Sequence, residues 1–205
     1  MRTRFSPATP VFLGLFAWGG LAAEGAAQPA GPAVNVLLLN DARVPSDVAT
    51  RAQAEVTRLY RLIGVQVTWV TRMPPPGGGR ARVVSLVTWE PAETQVPPSV
   101  LGLTYGSREK RGYLGYVFWR RVERASQMHK ASLYNLLAAA IAHELGHMLL
   151  PDGSHSRQGL MAEPWDNTHL GSASAGLLHF SAGTGRLIRR GLNDQVAIAA
   201  RRERD

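Results

Sequence analysis

The residues most able to do chemistry are His143-Glu144-Leu145-Gly146-His147. In a helix, positions i and i+4 lie one above the other, so His143 and His147 can aim two imidazoles at one point. Glu144 sits beside the first of them, where a carboxylate can take a proton from water. Two neutral imidazoles at about 2.0–2.1 Å from zinc, with a carboxylate beside an open position, form the core of a hydrolytic zinc site. Such a short pattern also arises by chance, so its surroundings decide what it means. Upstream, Leu133 to Ala142 is apolar nearly all round, with Ser132 placed to cap its start. A helix of that kind is buried, and two histidines and a glutamate at its end need partners, which a metal supplies. Pro151 cannot continue the helix and Asp152-Gly153 reads as a turn, so the chain returns Ser154-His155-Ser156 towards the helix end.

These residues resemble the metzincin clan of zinc metallopeptidases. Its usual pattern has a glycine seven residues after the first histidine, a third histidine ten after it, and a methionine turn downstream. Here those two positions hold Leu150 and Gly153, a departure from the pattern, and the nearest histidine is His155. Gly159-Leu160-Met161 looks like the methionine turn, an apolar floor beneath the metal in that clan. The layout is most similar to small secreted bacterial proteins in which a longer loop leads to His-Ser and then Gly-Ile/Leu-Met. The resemblance implies Zn2+ held by His143, His147 and His155, with Glu144 as general base of peptide-bond hydrolysis. Asp152 is the rival third ligand, because some metzincin-like enzymes use aspartate there. Glu163, which a gluzincin-like site would need, falls in a proline-flanked loop instead of a second helix. His129, His169 and His179 read as surface or core residues.

The rest of the chain must position these groups. Val34 to Leu39 has the length of a strand, and Ser46 caps a helix whose Val48, Ala52, Val56, Leu59 and Ile63 recur at helical spacing up to Gly64. Val65, Val67 and Trp69 alternate with polar residues as a second strand, and Val83 to Trp89 reads as a third. Strand, helix, strand at this spacing is a βαβ unit with parallel pairing. Pro74 to Gly79 and Pro91 to Pro98 are loops; Val100–Tyr105 and Tyr113–Trp119 supply two more strands. The expected fold is α/β: a metzincin-like zincin fold with a twisted, mostly parallel five-stranded sheet. It carries an antiparallel edge strand, two long helices and a small C-terminal subdomain. The upper part runs to about residue 150 and the C-terminal part from about 151. In that clan the edge strand binds extended substrate by backbone pairing, a place that Leu101 to Tyr105 occupies here. Beyond Met161 the chain reads as loop, with Ser181 capping one last short helix and a frayed charged tail from Arg201.

Arg2 and Arg4 precede an apolar run from Val11 to Ala23 and a small-residue exit at Gly25-Ala26-Ala27. This pattern is that of a secretory signal peptide over residues 1–27, too short and glycine-rich for a membrane anchor. The expected mature chain, 28–205, is secreted or periplasmic in a bacterium and acts as a monomer on polypeptide substrate. Absence of cysteine excludes disulfides and a cysteine switch for latency. The formal charge of +8, concentrated at Arg120-Arg121-Arg124 and Arg186-Arg189-Arg190, favours anionic surfaces by long-range attraction, as an arginine-rich solvated face. No motif with aromatic platforms points to a specific nucleic acid. Two other readings remain: a non-catalytic secreted protein stabilised by zinc, and a basic domain binding anionic cell-surface polymers. Glu144, which metal binding does not require, argues against both.

Overall fold

Val34 to Leu39, the run with the length of a strand, pairs in parallel with strands on both sides and so lies inside the sheet. The computed structural model describes residues 31–74, 81–92, 96–105, 113–151 and 154–202. Along them run β1 (Ala33–Asn40), α1 (Ser46–Leu62), β2 (Gln66–Val70), β3 (Arg82–Val87), β4 (Gly102–Tyr105) and β5 (Leu114–Phe118). The helices α2 (Trp119–Met128), α3 (Leu133–Leu149), α4 (Asn167–Ser174) and α5 (Ala182–Arg202) follow. The five strands are ordered β2-β1-β3-β5-β4, with every pair parallel except β4 against β5. This is the mixed α/β sheet expected from the sequence, with β4 as its antiparallel edge. The proposed signal segment, most of the Pro-Gly loop, Asp152 and the extreme tail lie outside the described residues.

Strand register decides which side chains meet α3. Leu38, Val84 and Gly115 stand in line across the sheet, as do Leu86, Val117 and Gly102. Val84, Leu86 and Val117 are fully buried and share one core with Val56 and Tyr60 of α1 and Leu137, Ile141 and Leu145 of α3. Tyr60 reaches across this core and donates its hydroxyl to the carbonyl of Ala142 at 3.0 Å, one residue before His143. Burying that phenol raises its pKa well above the ordinary value, so it remains a donor. The apolar circumference of α3 is thus used on all sides. Leu136, Leu137, Ile141, Leu145, Met148 and Leu149 have no exposure at all.

The described helices differ from the sequence-based expectation. Two long helices were expected; the structure has three, because α5 extends over 21 residues where one short helix was foreseen. Gly183 and Gly185 weaken that segment's intrinsic propensity. Yet a side chain at Gly185 would come within 2.8 Å of Ile63, so α5 owes its close seat on the end of α1 to that glycine. Helix α4 occupies a stretch read as loop, started by a capping box in which Asp166 and His169 bind each other's backbone amides. Pro45, not Ser46, holds the N-cap position of α1, with no side-chain capping bond. Trp119 begins α2 instead of ending β5.

Arg121 on α2 overturns part of the solvated-arginine reading. It is 2 % exposed, and its guanidinium donates to the carbonyls of Pro97 and Val100 at 2.7 and 2.9 Å and to Glu90 at 3.1 Å. A buried planar donor of this kind holds the loop that leads into β4. Arg120, Arg124, Arg186 and Arg190 remain exposed. No helix among the described residues is long and apolar enough to cross a membrane.

Candidate metal centre

Helix α3 ends where sequence says it must. Leu150, the residue before Pro151, takes the extended conformation (φ −69°, ψ 142°) that proline imposes on its predecessor. Further along the chain, Ser156 donates its amide to the carbonyl of Met161 at 2.8 Å and pairs with Ala162, closing a small loop. Gly159 adopts φ +77°, and a side chain there would approach the His179 carbonyl to 2.5 Å, so both conformation and space require glycine. That same carbonyl accepts the Leu160 amide at 2.8 Å and fixes the loop against the segment before α5.

The loop folds back beneath α3. One ring nitrogen from each of His143, His147 and His155 lies within 4.8 Å of the other two. The Nε2 atoms of His143 and His147 are 3.0 Å apart. His143 donates its Nδ1 proton to the Leu160 carbonyl at 2.7 Å, which fixes the tautomer and leaves Nε2 as a lone pair facing its neighbours. His155 presents Nδ1 to Glu163 Oε2 at 2.7 Å, so its Nε2 is likewise free. Tetrahedral zinc with bonds of about 2.0–2.1 Å needs donor nitrogens roughly 3.3 Å apart; the His143–His147 pair stands at 3.0 Å, and His155 lies within 4.8 Å of both. Burial first, and then the neighbouring His147, push the His143 imidazole down to about 3, so it stays neutral and available as a ligand at any physiological pH. Three converging imidazole nitrogens are a donor set that suits Zn2+.

Met161 is fully buried, and its sulfur packs so closely under Gly146 that a side chain at that glycine would meet it at 2.5 Å. Gly146 lies within one helical turn of both histidines, so the thioether packs against the segment of α3 that carries them. Trp165 stands edge-on to the His143 ring at 5.5 Å and donates its indole N–H to the Leu160 carbonyl at 3.3 Å.

Glu144 points towards the sheet edge. It is 5 % exposed, and Thr104 of β4 donates its hydroxyl to Oε2 at 2.7 Å. Its Oε1 lies against Gly102, where an added Cβ would come within 2.6 Å. Burial pushes the Glu144 carboxyl up to about 8, opposed by the Thr104 bond. Because the folded state then binds its proton more tightly than the unfolded chain, metal-free stability should fall as pH rises from about 4.5 to about 8. His143 acts at the other end, its depressed pKa costing stability as pH falls from about 6.5 to about 3. Glu144→Gln is therefore expected to raise the melting temperature of the metal-free protein at pH 8 and to change it little at pH 5. An equal shift at both pH values in a thermal melt would mean that the carboxyl is not held protonated.

The structure brings His143, His147 and His155 together and turns the Glu144 carboxyl to Thr104 and Gly102 of β4; Asp152, the rival ligand, is outside the described residues. Glu163 was considered only as a ligand, whereas the structure sets its Oε2 2.7 Å from His155 Nδ1. Its position two residues beyond Met161 could have signalled this only once the loop's return was known. Thr104, some forty residues before Glu144, gave no sequence signal. With both partners on the surface (His155 37 % and Glu163 48 % exposed), water can replace part of their contact. Glu163→Ala should weaken zinc affinity by roughly tenfold, the lower end for an orienting carboxylate. Competitive chelator titration measures it, and unchanged affinity would leave the pair without a role in ligation.

No protein-family model matches the sequence, and no curated protein does. Among solved structures, the chain is similar to archaemetzincin from Methanopyrus kandleri, with TM-score 0.51 and 20 % identity over 81 % of this chain and 99 % of that one. It also matches metalloproteinase-II from Bacteroides fragilis, with TM-score 0.45 and 12 % identity over 78 % of this chain and 53 % of that one, too weak to support an inference. At 20 % identity the first likeness establishes the fold: a mixed α/β architecture similar to that of archaemetzincin.

Proposed function

We propose that this chain is an exported zinc-dependent endopeptidase of metzincin-like type that hydrolyses peptide bonds in extended or unfolded polypeptides. The observation that carries this reading is the convergence of three imidazole nitrogens whose other ring nitrogens, in His143 and His155, are already bound elsewhere. Among the described residues no fourth imidazole or carboxylate joins that group. Catalytic zinc sites keep such a position open, whereas structural ones close it with a fourth protein ligand. Zinc in this site would polarise the scissile carbonyl and lower the pKa of water towards neutrality.

The remaining work belongs to the chain. As the water oxygen bonds to the carbonyl carbon, Glu144 takes one of its protons and then passes it to the nitrogen as the C–N bond breaks. The unpaired side of β4 offers main-chain groups to an extended substrate next to Glu144. The basic start of the sequence and its short apolar run support export into a periplasmic or extracellular space, with the mature chain a monomer. Exposed Arg120, Arg124, Arg186 and Arg190 would draw it to anionic surfaces.

One observation favours a second reading, a structural zinc. The Glu144 carboxylate is buried and engaged by Thr104, as it would be if it had only a packing role. Metal analysis with cleavage of a labelled unfolded polypeptide separates the two. Glu144→Gln should keep one zinc per chain and lose roughly 10²- to 10⁴-fold in rate, the range for general acid–base catalysis. Zinc retained in a wild-type protein that cleaves nothing would favour the structural role.

A further inference from the structure

The edge strand and the zinc helix meet through one side chain whose role the reading above does not assign. Thr104 faces α3 from β4, opposite Gly115, and its hydroxyl lies 2.7 Å from Glu144 Oε2 and 3.1 Å from the Glu144 main-chain carbonyl. A hydroxyl has one proton to give. The carbonyl lies in the interior of α3, where it accepts the amide four residues on, so the carboxylate is the nearer and needier acceptor. Among the described residues, Thr104 is the hydrogen-bond partner of this buried carboxylate. Two glycines make the room. A side chain at Gly102 would strike Glu144 Oε1 at 2.6 Å, and one at Gly115 would crowd the Thr104 hydroxyl at 3.0 Å and Glu144 Cβ at 3.3 Å.

We propose that Thr104 is the positioning residue for Glu144: its hydroxyl pins Oε2 and so leaves Oε1 as the oxygen that accepts the proton from water. This rests on the reading of Glu144 as general base and adds to it the device that aims it. A glutamate side chain with free rotamers at the end of a cleft would present either oxygen, or neither. Fixed at Oε2 by Thr104, it keeps Oε1 against Gly102 of the strand proposed to take substrate. Geometry of this kind contributes to rate by holding reacting groups in register, without changing how tightly substrate binds.

The test uses the zinc-loaded chain, a labelled unfolded polypeptide and three variants. Thr104→Val keeps shape and strand propensity and deletes the hydroxyl; Thr104→Ala is the control for packing; Thr104→Ser restores the donor. We expect Val and Ala to lower kcat by roughly 10- to 100-fold, the range for a hydrogen bond to a charged group, with KM and zinc content unchanged. Serine should return kcat to within about threefold of wild type. In the metal-free protein, Thr104→Val should lower the melting temperature in the wild-type background and not in Glu144→Ala, which reads the pair without any activity. Wild-type kcat in Thr104→Val while Glu144→Gln is inactive would overturn the proposal and leave Glu144 as base. Equal loss in Ser and Val, or no coupling in the melts, would overturn it as well. Activity retained in Glu144→Gln would instead remove the general-base reading and this proposal with it.

Discussion

His143→Ala and His147→Ala are expected to lose zinc and hydrolytic activity together. Each histidine supplies one of three converging nitrogens. A structural zinc site with its full ligand set is worth about 10–16 kcal/mol, so deleting one ligand of a few costs roughly 10²- to 10⁴-fold in affinity. The effects should not be equal in kind. His143 is locked by the Leu160 carbonyl and flanked by Trp165, so its removal leaves that acceptor with only the longer Trp165 bond and empties a packed site, which should lower stability in the metal-free protein. His155 lies on the loop and at the surface, so His155→Ala should cost affinity with little change in the apo melt. Plasma emission metal analysis after dialysis against a weak chelator reads the first effect, and thermal melting reads the second. Full zinc in His155→Ala with loss in Asp152→Ala would move the third ligand to Asp152.

How much of this site could be read from sequence depends on how far apart its parts lie along the chain. His143, Glu144 and His147 sit within one turn and a half of helix, where spacing alone fixes their relation. The parallel sheet follows from the run, helix, run pattern of residues 34–69, which can close in one hand only. The antiparallel edge at β4 was expected from the resemblance to metzincins, not from the strand's own residues. Arg121 was not. Its burial depends on Glu90, Pro97 and Val100 meeting α2, and the sequence shows only a charged residue among other arginines. Helix α4 was missed because its capping box uses His169 where the usual signature has Glu or Gln. For α5 the misleading signal was Gly185, which looks like a helix breaker and is in fact the residue that lets the helix approach Ile63. Thr104 and Glu163 share one reason. Each acts through a contact that exists only after two distant segments have met, and a hydroxyl or a carboxylate in a loop carries no period to reveal it.

Gly146→Ala should destabilise both the fold and the metal site, against the usual trend. Inside a helix, alanine in place of glycine normally gains roughly 0.5–1 kcal/mol from backbone entropy. Here the added methyl would stand 2.5 Å from Met161 Sδ and 3.2 Å from its Cε, with Phe180 at 3.5 Å on the far side. Met161 and Leu160 are both fully buried, so the thioether has no route to solvent. The strain must therefore pass into the Gly159–Met161 turn, which is tied to His179 through the Leu160 amide and to His143 through the Leu160 carbonyl. Overpacking of a close-packed core costs typically about 1–3 kcal/mol, enough to reverse the sign of the propensity gain. Movement of Leu160 would also tilt the His143 ring, so zinc affinity should fall with stability. Met161→Leu conserves volume in the wild-type background and should cost less than about 1.5 kcal/mol while leaving zinc bound. In Gly146→Ala/Met161→Ala the new methyl enters the space that the thioether leaves. That double variant should recover zinc affinity that Gly146→Ala alone has lost, a coupling that independent sites do not show. Chemical denaturation and chelator competition on wild type, Gly146→Ala, Met161→Ala and the double variant measure it. A Gly146→Ala variant more stable than wild type, with zinc affinity unchanged, would mean that Met161 does not support the histidine pair.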